Sequence, residues 1–215
     1  MALSGYDASS ITKEICDLAP IVPVLVVDDL RQARPLAEAL VAGGLPALEV
    51  TLRTPAALEA IREMSQVSGG RVGAGTLITP EDVRAAKEAG ATFGVSPGAT
   101  DELLAACEAE DLPLLPGAAT ATEAMSLLAR GYDMLKFFPA EASGGVPALK
   151  AIGAPLPQIS FCPTGGVNPD NAKAYLSLPN VRCAGGSWVA PKQLVKAGNW
   201  AEIEALARAA SQLGQ

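Results

Sequence analysis

Apolar residues along this chain gather in short aliphatic, often β-branched runs, and each run is followed by a longer stretch with helical spacing. Ile21-Val22-Pro23-Val24-Leu25-Val26-Val27 is the first clear run, closed by Asp28-Asp29. Residues 30–41 then repeat apolar positions at three- and four-residue intervals and stop at Gly43-Gly44, as a helix C-terminus should. The same alternation predicts strands at 47–52, 72–74, 93–96, 112–115, 134–138, 159–163 and 181–184. Between and after them it predicts helices at 55–64, 80–89, 101–110, 122–129, 146–152, 169–178 and 200–213. Thr79 and Gly90 bracket the helix at 80–89, Pro55 follows Thr54 at a helix start, and Gly131 ends another. A short amphipathic helix is predicted ahead of all this at 9–18, capped by Ser9 or Ser10.

Eight strand-like runs alternating with helices, at roughly 27 residues per unit, imply an α/β fold with a parallel sheet closed into a (β/α)8 TIM barrel. An open doubly wound sheet is the competing architecture. It lacks its usual fingerprint here, because Gly73-Ala74-Gly75 has no third glycine. No linker or composition break divides the chain, so residues 1–215 are expected to form a single domain. A hydrophobic content of 49% in 215 residues is enough to fill its core.

Composition narrows the chemistry more than the fold. A net charge of −7 argues against a nucleic-acid partner. No apolar stretch reaches the roughly 18 residues of a membrane span, and the start lacks a basic patch followed by an apolar run, so a soluble, cytoplasmic protein is expected. Cys16, Cys107, Cys162 and Cys183 share no metal-like spacing and read as buried, reduced thiols. There is no histidine. That removes Ser-His-Asp and Cys-His catalysis, the common zinc sites and the usual imidazole acid/base.

Lys136 sits inside the apolar run Met134-Leu135-Lys136-Phe137-Phe138. A buried ammonium is costly unless it is paired or gives up its proton, and the free amine is the form that attacks a carbonyl. Strand alternation places Met134, Lys136 and Phe138 on one face, and Ala47, Glu49, Thr51 and Arg53 on one face of the second strand. Glu49 and Lys136 would then share the barrel interior, with Arg53 near its mouth. The same parity argument, applied to Val72, Ala74 and Thr76, brings the Thr76 hydroxyl to the mouth. A Glu–Lys pair that merely fills the barrel is the plain alternative, but buried ion pairs stabilise weakly. Strands seven and eight end in Thr164-Gly165-Gly166 and Gly185-Gly186-Ser187. Each glycine pair alone reads as a turn; two of them after these two strands favour a backbone phosphate site.

The segments Leu48-Glu49-Val50-Thr51-Leu52-Arg53-Thr54, Gly73-Ala74-Gly75-Thr76, Ser96-Pro97-Gly98, Lys136-Phe137-Phe138-Pro139-Ala140-Glu141, Cys162-Pro163-Thr164-Gly165-Gly166 and Gly185-Gly186-Ser187-Trp188 carry a resemblance. Together, from about Ile21 to Pro191, they closely resemble the bacterial class I aldolases for 2-keto-3-deoxy-6-phosphogluconate (KDPG), the KDPG/KHG aldolase group of the Entner–Doudoroff pathway. The resemblance implies cleavage of KDPG to pyruvate and glyceraldehyde 3-phosphate, with 4-hydroxy-2-oxoglutarate (KHG) as a further substrate. It implies Lys136 as the Schiff-base residue and Glu49 as the general acid/base acting through a water. Arg53 and Thr76 would hold the carboxylate end, and Pro97 and Phe138 would shape the pocket. Gly165, Gly166, Gly186 and Ser187 would bind the phosphate, while Thr164 and Ser187 occupy positions that favour the gluconate over the galactonate epimer at carbon 4. It further implies a cytoplasmic homotrimer that needs no metal and no cofactor.

Two departures from the family pattern lie between the motifs: Ala99 after Ser96-Pro97-Gly98, and Gly117-Ala118-Ala119-Thr120. Both are expected to alter pocket packing. Outside the family, the residues themselves leave open a sugar-phosphate isomerase or epimerase using Glu49 as base without a covalent adduct. A non-catalytic sugar-phosphate sensor is also open, but would have no need of a desolvated lysine.

Overall fold

The computed structural model describes residues 2–214. Strands β1 (Ile21–Leu25), β2 (Ala47–Thr51), β3 (Arg71–Gly75), β4 (Phe93–Val95), β5 (Leu114–Leu115) and β9 (Ala184–Gly186) form a six-stranded parallel sheet in the order β5-β4-β3-β2-β1-β9. Strands β6 (Gly117–Ala118), β7 (Met134–Phe137) and β8 (Ser160–Pro163) form a three-stranded parallel sheet in the order β6-β7-β8. Helices connect successive strands, as parallel pairing requires, except that only Pro116 separates β5 from β6, which belong to different sheets.

The two sheets curl toward one another. Val22, Ala47, Phe93, Val95, Leu115 and Cys183 from the larger sheet and its flanks meet Met134 and Cys162 from the smaller in one inner apolar cluster. The opposite faces of the strands, including Leu48, Val50, Val72, Ala74, Leu135 and Phe137, pack against the helices in a second, larger cluster. Burial on both faces explains why the strands read as nearly continuous apolar runs.

Several element bounds differ from the sequence pattern, each for a local reason. The apolar run at 112–115 extends into two short strands because its pairing changes hands at Pro116. Gly94 N–H and Ser96 N–H donate to Pro113 and Leu115 on the β4 side, whereas Lys136 N–H donates to Pro116 O on the β7 side. The run at 181–184 behaves likewise. Phe161 N–H donates to Asn180 O and Arg182 N–H to Phe161 O, after which Ala184–Gly186 pairs with β1. The pattern therefore located these runs but not their partners.

The first helix, α1, spans Gly5–Cys16 and is capped by Ser4 in a reciprocal box with Asp7, not by Ser9 or Ser10. Ser9 is buried instead, and its Oγ accepts from Asp133 N–H at 2.9 Å, fastening α1 beneath β7. The stretch 30–41 divides into a single 3-10 turn and α2 (Ala33–Ala42). Helices α3 (Ala57–Ser65), α4 (Pro80–Glu88), α5 (Asp101–Ala109), α6 (Ala121–Ala129) and α7 (Gly145–Gly153) follow closely. Helix α8 keeps only Ala172–Leu176 of the predicted 169–178. A helix missed by the periodicity, α9 (Lys192–Ala197), precedes α10 (Trp200–Ser211). Pro191 before it and Gly198 after it, with φ 64°, are the signals that mark it.

No helix among the described residues is long and apolar enough to cross a membrane. Substituting Ser4→Ala is expected to cost about 1 kcal/mol through the lost cap. Ser9→Ala, which strips a partly buried N–H of its acceptor, should cost about 1–3 kcal/mol. Urea unfolding of both variants checks this; a Ser9→Ala as stable as the wild type would contradict the fastening role.

Candidate active site

Lys136 on β7 and Glu49 on β2 come from different sheets and meet across the interior, with Nζ donating to Oε1 at 3.1 Å. They are 5% and 3% exposed, so this is a desolvated pair rather than a surface salt bridge. Register sets the meeting. Glu49 lies opposite Val24 and Gly73, and Lys136 opposite Gly117 and Cys162. Space for the carboxylate comes from Gly75: a Cβ there would stand 2.3 Å from Glu49 Oε1. Lys136 Nζ also lies 5.2 Å from the Phe138 ring centroid, within range for a cation–π contact.

Above the pair opens a cavity of about 230 Å³ lined by Val24, Val26, Arg53, Lys136, Phe138, Thr164, Gly165, Gly166, Val167, Gly185 and Ser187. It lies at the C-terminal ends of β1, β2, β7, β8 and β9, the end at which parallel α/β barrels carry their sites. Of the expected site residues, Arg53, Lys136, Phe138, Thr164, Gly165, Gly166 and Ser187 line it. Glu49 sits behind Lys136. Gly186 lies beneath Trp188, whose ring a Cβ would meet at 1.9 Å. Pro97 is exposed at the end of β4 and outside the lining; its carbonyl forces a glycine at 117, where a Cβ would come within 2.2 Å. Gly185 belongs to the second glycine pair singled out in the sequence, whereas Val24, Val26 and Val167 were not expected. Val167 had a signal, since it continues the Thr164-Gly165-Gly166 turn.

Thr76 reaches the mouth for a reason other than parity. Val72 and Ala74 face the helices, while Gly73 and Gly75 face the interior, where their Cβ atoms would strike Phe93 and Glu49. Strict alternation would aim Thr76 outward. Instead Thr76 adopts φ 64°, a left-handed conformation that a β-branched residue rarely takes, and its Oγ1 accepts from Arg53 Nε at 3.2 Å.

Neither departure from the family pattern touches the Lys136 cavity. Ala99 and Gly117 line a separate space of about 220 Å³ beside α5 and α6, together with Asp101, Glu123 and Arg130. Under the floor of the site, Cys16, Cys162 and Cys183 are free thiols in the inner cluster. Interaction with Cys16, then with Cys183, holds the Cys162 thiol well below the usual thiol range, and the nearby Lys136 charge acts in the same direction. Cys16 and Cys183 are pushed up in turn, each chiefly by its thiol neighbour. Cys107, on the buried face of α5, is raised to about 12 by desolvation.

Residues 12–206 match the family model "Aldolase: KDPG and KHG aldolase". The chain belongs to the KDPG and KHG aldolase family. It is 50% identical over 200 residues, 93% of each chain, to the 2-dehydro-3-deoxy-phosphogluconate aldolase of Pseudoalteromonas atlantica. Among solved structures, it superposes on the KDPG aldolase of Zymomonas mobilis with 3-phosphoglycerate at a TM-score of 0.90, with 49% identity, covering 95% of this chain and 97% of that one. A second KDPG aldolase, from Legionella pneumophila, holds pyruvate captured at low pH as a covalent carbinolamine intermediate. The match has a TM-score of 0.90 and 48% identity, covering 93% and 98% of the two chains.

Whether the Lys136–Glu49 pair is kept for stability is open to direct test. Glu49→Leu should destabilise the fold by about 3–5 kcal/mol, because it leaves Lys136 buried without its partner. The double variant Glu49→Leu/Lys136→Met should recover most of that loss in denaturant unfolding. A double variant still several kcal/mol below wild type would make the pair structural glue.

Proposed function

We infer that this chain is a class I, Schiff-base aldolase that cleaves KDPG into pyruvate and glyceraldehyde 3-phosphate, with KHG as a further substrate. The observation that carries this reading is a buried amine, paired with one carboxylate, at the base of a cavity whose far wall is glycine backbone. In its free-amine form Lys136 adds to the carbon-2 ketone, and Glu49 moves the protons as the carbinolamine loses water to an iminium. Glu49, acting through a water, then takes the proton from the carbon-4 hydroxyl. The bond between carbons 3 and 4 breaks and its electron pair flows into the iminium. Glyceraldehyde 3-phosphate leaves, and the enamine is protonated at carbon 3 and hydrolysed to pyruvate and free Lys136. Covalent catalysis thus replaces a carbanion with an enamine. The pyruvate carbinolamine of the Legionella pneumophila enzyme is the kind of species these steps require.

The remaining roles are carried over from the family resemblance, with support from the geometry for Arg53. Arg53 donates through Nε to Thr76, which leaves its terminal nitrogens to grip the substrate carboxylate as a fork. Gly165, Gly166, Gly186 and Ser187 take the phosphate, as backbone donors and a hydroxyl can without a basic surface. Phe138 shapes the approach, Pro97 acts on it only from outside the lining, and Thr164 and Ser187 select the carbon-4 epimer. We read the two sheets as one single-domain (β/α)8 barrel. Support comes from the shared run across Pro116 and from the parallel bridges Phe161–Val181 and Thr164–Gly185 between the β8 and β9 sides. A cytoplasmic homotrimer completes the reading, on the strength of the family resemblance.

Borohydride reduction in the presence of pyruvate, followed by peptide mapping, should place a stable pyruvyl group on Lys136. Its absence in folded protein would favour a non-covalent isomerase. Lys136→Ala should lose cleavage by at least about 10³-fold while unfolding at a similar temperature, since it removes the covalent step. Dialysis against EDTA should leave kcat unchanged; restoration of a lost activity by a divalent metal would contradict the metal-free scheme.

A further inference from the structure

Three consecutive carbonyls in the loop after β8 are held by donors that lie outside the cavity lining. Ala140 N–H donates to Thr164 O at 2.8 Å, and Glu141 N–H donates to Gly165 O at 3.0 Å. The third, Gly166 O, has no backbone donor. It accepts instead from two side-chain amides, Asn168 Nδ2 at 3.2 Å and Asn171 Nδ2 at 3.1 Å. These peptides are trans, so each N–H points opposite to the carbonyl of its own peptide. Anchoring the carbonyls of 164, 165 and 166 therefore turns the N–H groups of Gly165, Gly166 and Val167 the other way. All three residues line the cavity; the Gly165 N–H faces Gly185 O across the Thr164–Gly185 bridge, while those of Gly166 and Val167 donate to no other group among the described residues. Successive free N–H groups of this kind make an anion-binding concavity.

The amide orientations follow from the same network. Asn171 Oδ1 accepts from Asn168 N–H at 2.8 Å, and Asn168 Oδ1 accepts from Asp170 N–H at 2.9 Å, which leaves both Nδ2 groups to donate to Gly166 O. Both glycines adopt left-handed backbone, φ 100° at Gly165 and φ 82° at Gly166. A glycine peptide of this freedom needs an external hold to keep one orientation.

We propose that Asn168 and Asn171 are positioning residues for the phosphate end of the substrate: they clamp the Gly166 carbonyl from behind and so aim the Val167 N–H into the cavity. The proposal rests on the phosphate assignment of this loop made above. It is also the one part of the loop's aim that side-chain substitution can reach, because the other two carbonyls are held by backbone.

The test uses Asn168→Ala, Asn171→Ala and the double variant. Each single change leaves one donor and should raise KM for KDPG by about 2–3-fold; the double change should raise it by about 10-fold. The kcat for KDPG and kcat/KM for KHG, which has no phosphate, should stay within about twofold, and pyruvate trapping on Lys136 should be unaltered. A general loosening of the site would move both substrates together, and that result, or an unchanged KM for KDPG, overturns the clamp. Binding of inorganic phosphate, followed by thermal shift, reads the loop without chemistry. Its Kd should rise about tenfold in the double variant. No phosphate-dependent shift in the wild type, or the same Kd in both, overturns the proposal. Failure to trap pyruvate on wild-type Lys136 overturns the aldolase reading alone.

Discussion

The structure turns on one desolvated contact, Lys136 Nζ to Glu49 Oε1, made between two sheets rather than within one. Taking both charges out of water costs several kcal/mol per ion, and their attraction offsets that cost only with good geometry. The surroundings are arranged around this demand. Gly75 and Gly73 clear the interior beside β2, Met134 and Phe93 fill the space below, and the Phe138 ring closes over the amine. Apolar side chains of similar volume would fill the same interior at less cost. A pair retained in that position makes physical sense as chemistry.

Reactive and binding functions are divided between kinds of element. The side chains to which we assign proton transfer and carbonyl attack, Glu49 and Lys136, sit within strands, where packing on both faces holds them to one rotamer and one register. The end to which we assign the phosphate is built from backbone in the loops after β8 and β9, where Gly165 and Gly166 adopt left-handed turns. Thr76 stands between the two. It leaves the strand by a strained φ of 64° and so presents a hydroxyl to Arg53 that β3 alternation would have buried against the helices.

Local signals were legible where the energetics are local. Thr79 with Asp82 caps α4, Gly90 and Gly131 follow α4 and α6 with positive φ, and the apolar runs of β1, β2, β3 and β7 lie where alternation puts them. Misreadings occurred where two local solutions competed. Ser4, Ser9 and Ser10 are all plausible caps, and Asp7 at the right spacing decides for Ser4. Helix α8 starts late because Asn168 and Asn171 spend their side chains on Gly166 and on each other's backbone.

The chain alone determined the alternation of strands and helices, the absence of imidazole chemistry, and the identity of Lys136 and Glu49 as the residues to watch. Those are consequences of periodicity and of the cost of burying charge, and they hold wherever the segments end up. Only the tertiary structure decided that the 112–118 and 180–186 runs pair first with one sheet and then with the other, that Thr76 turns against its strand, and that two asparagines stand behind the glycine loop. The first depends on hydrogen-bond partners remote in sequence, the second on a single backbone dihedral and the third on side-chain amides two and five residues from the carbonyl they hold, and none of them leaves a periodic trace among the side chains.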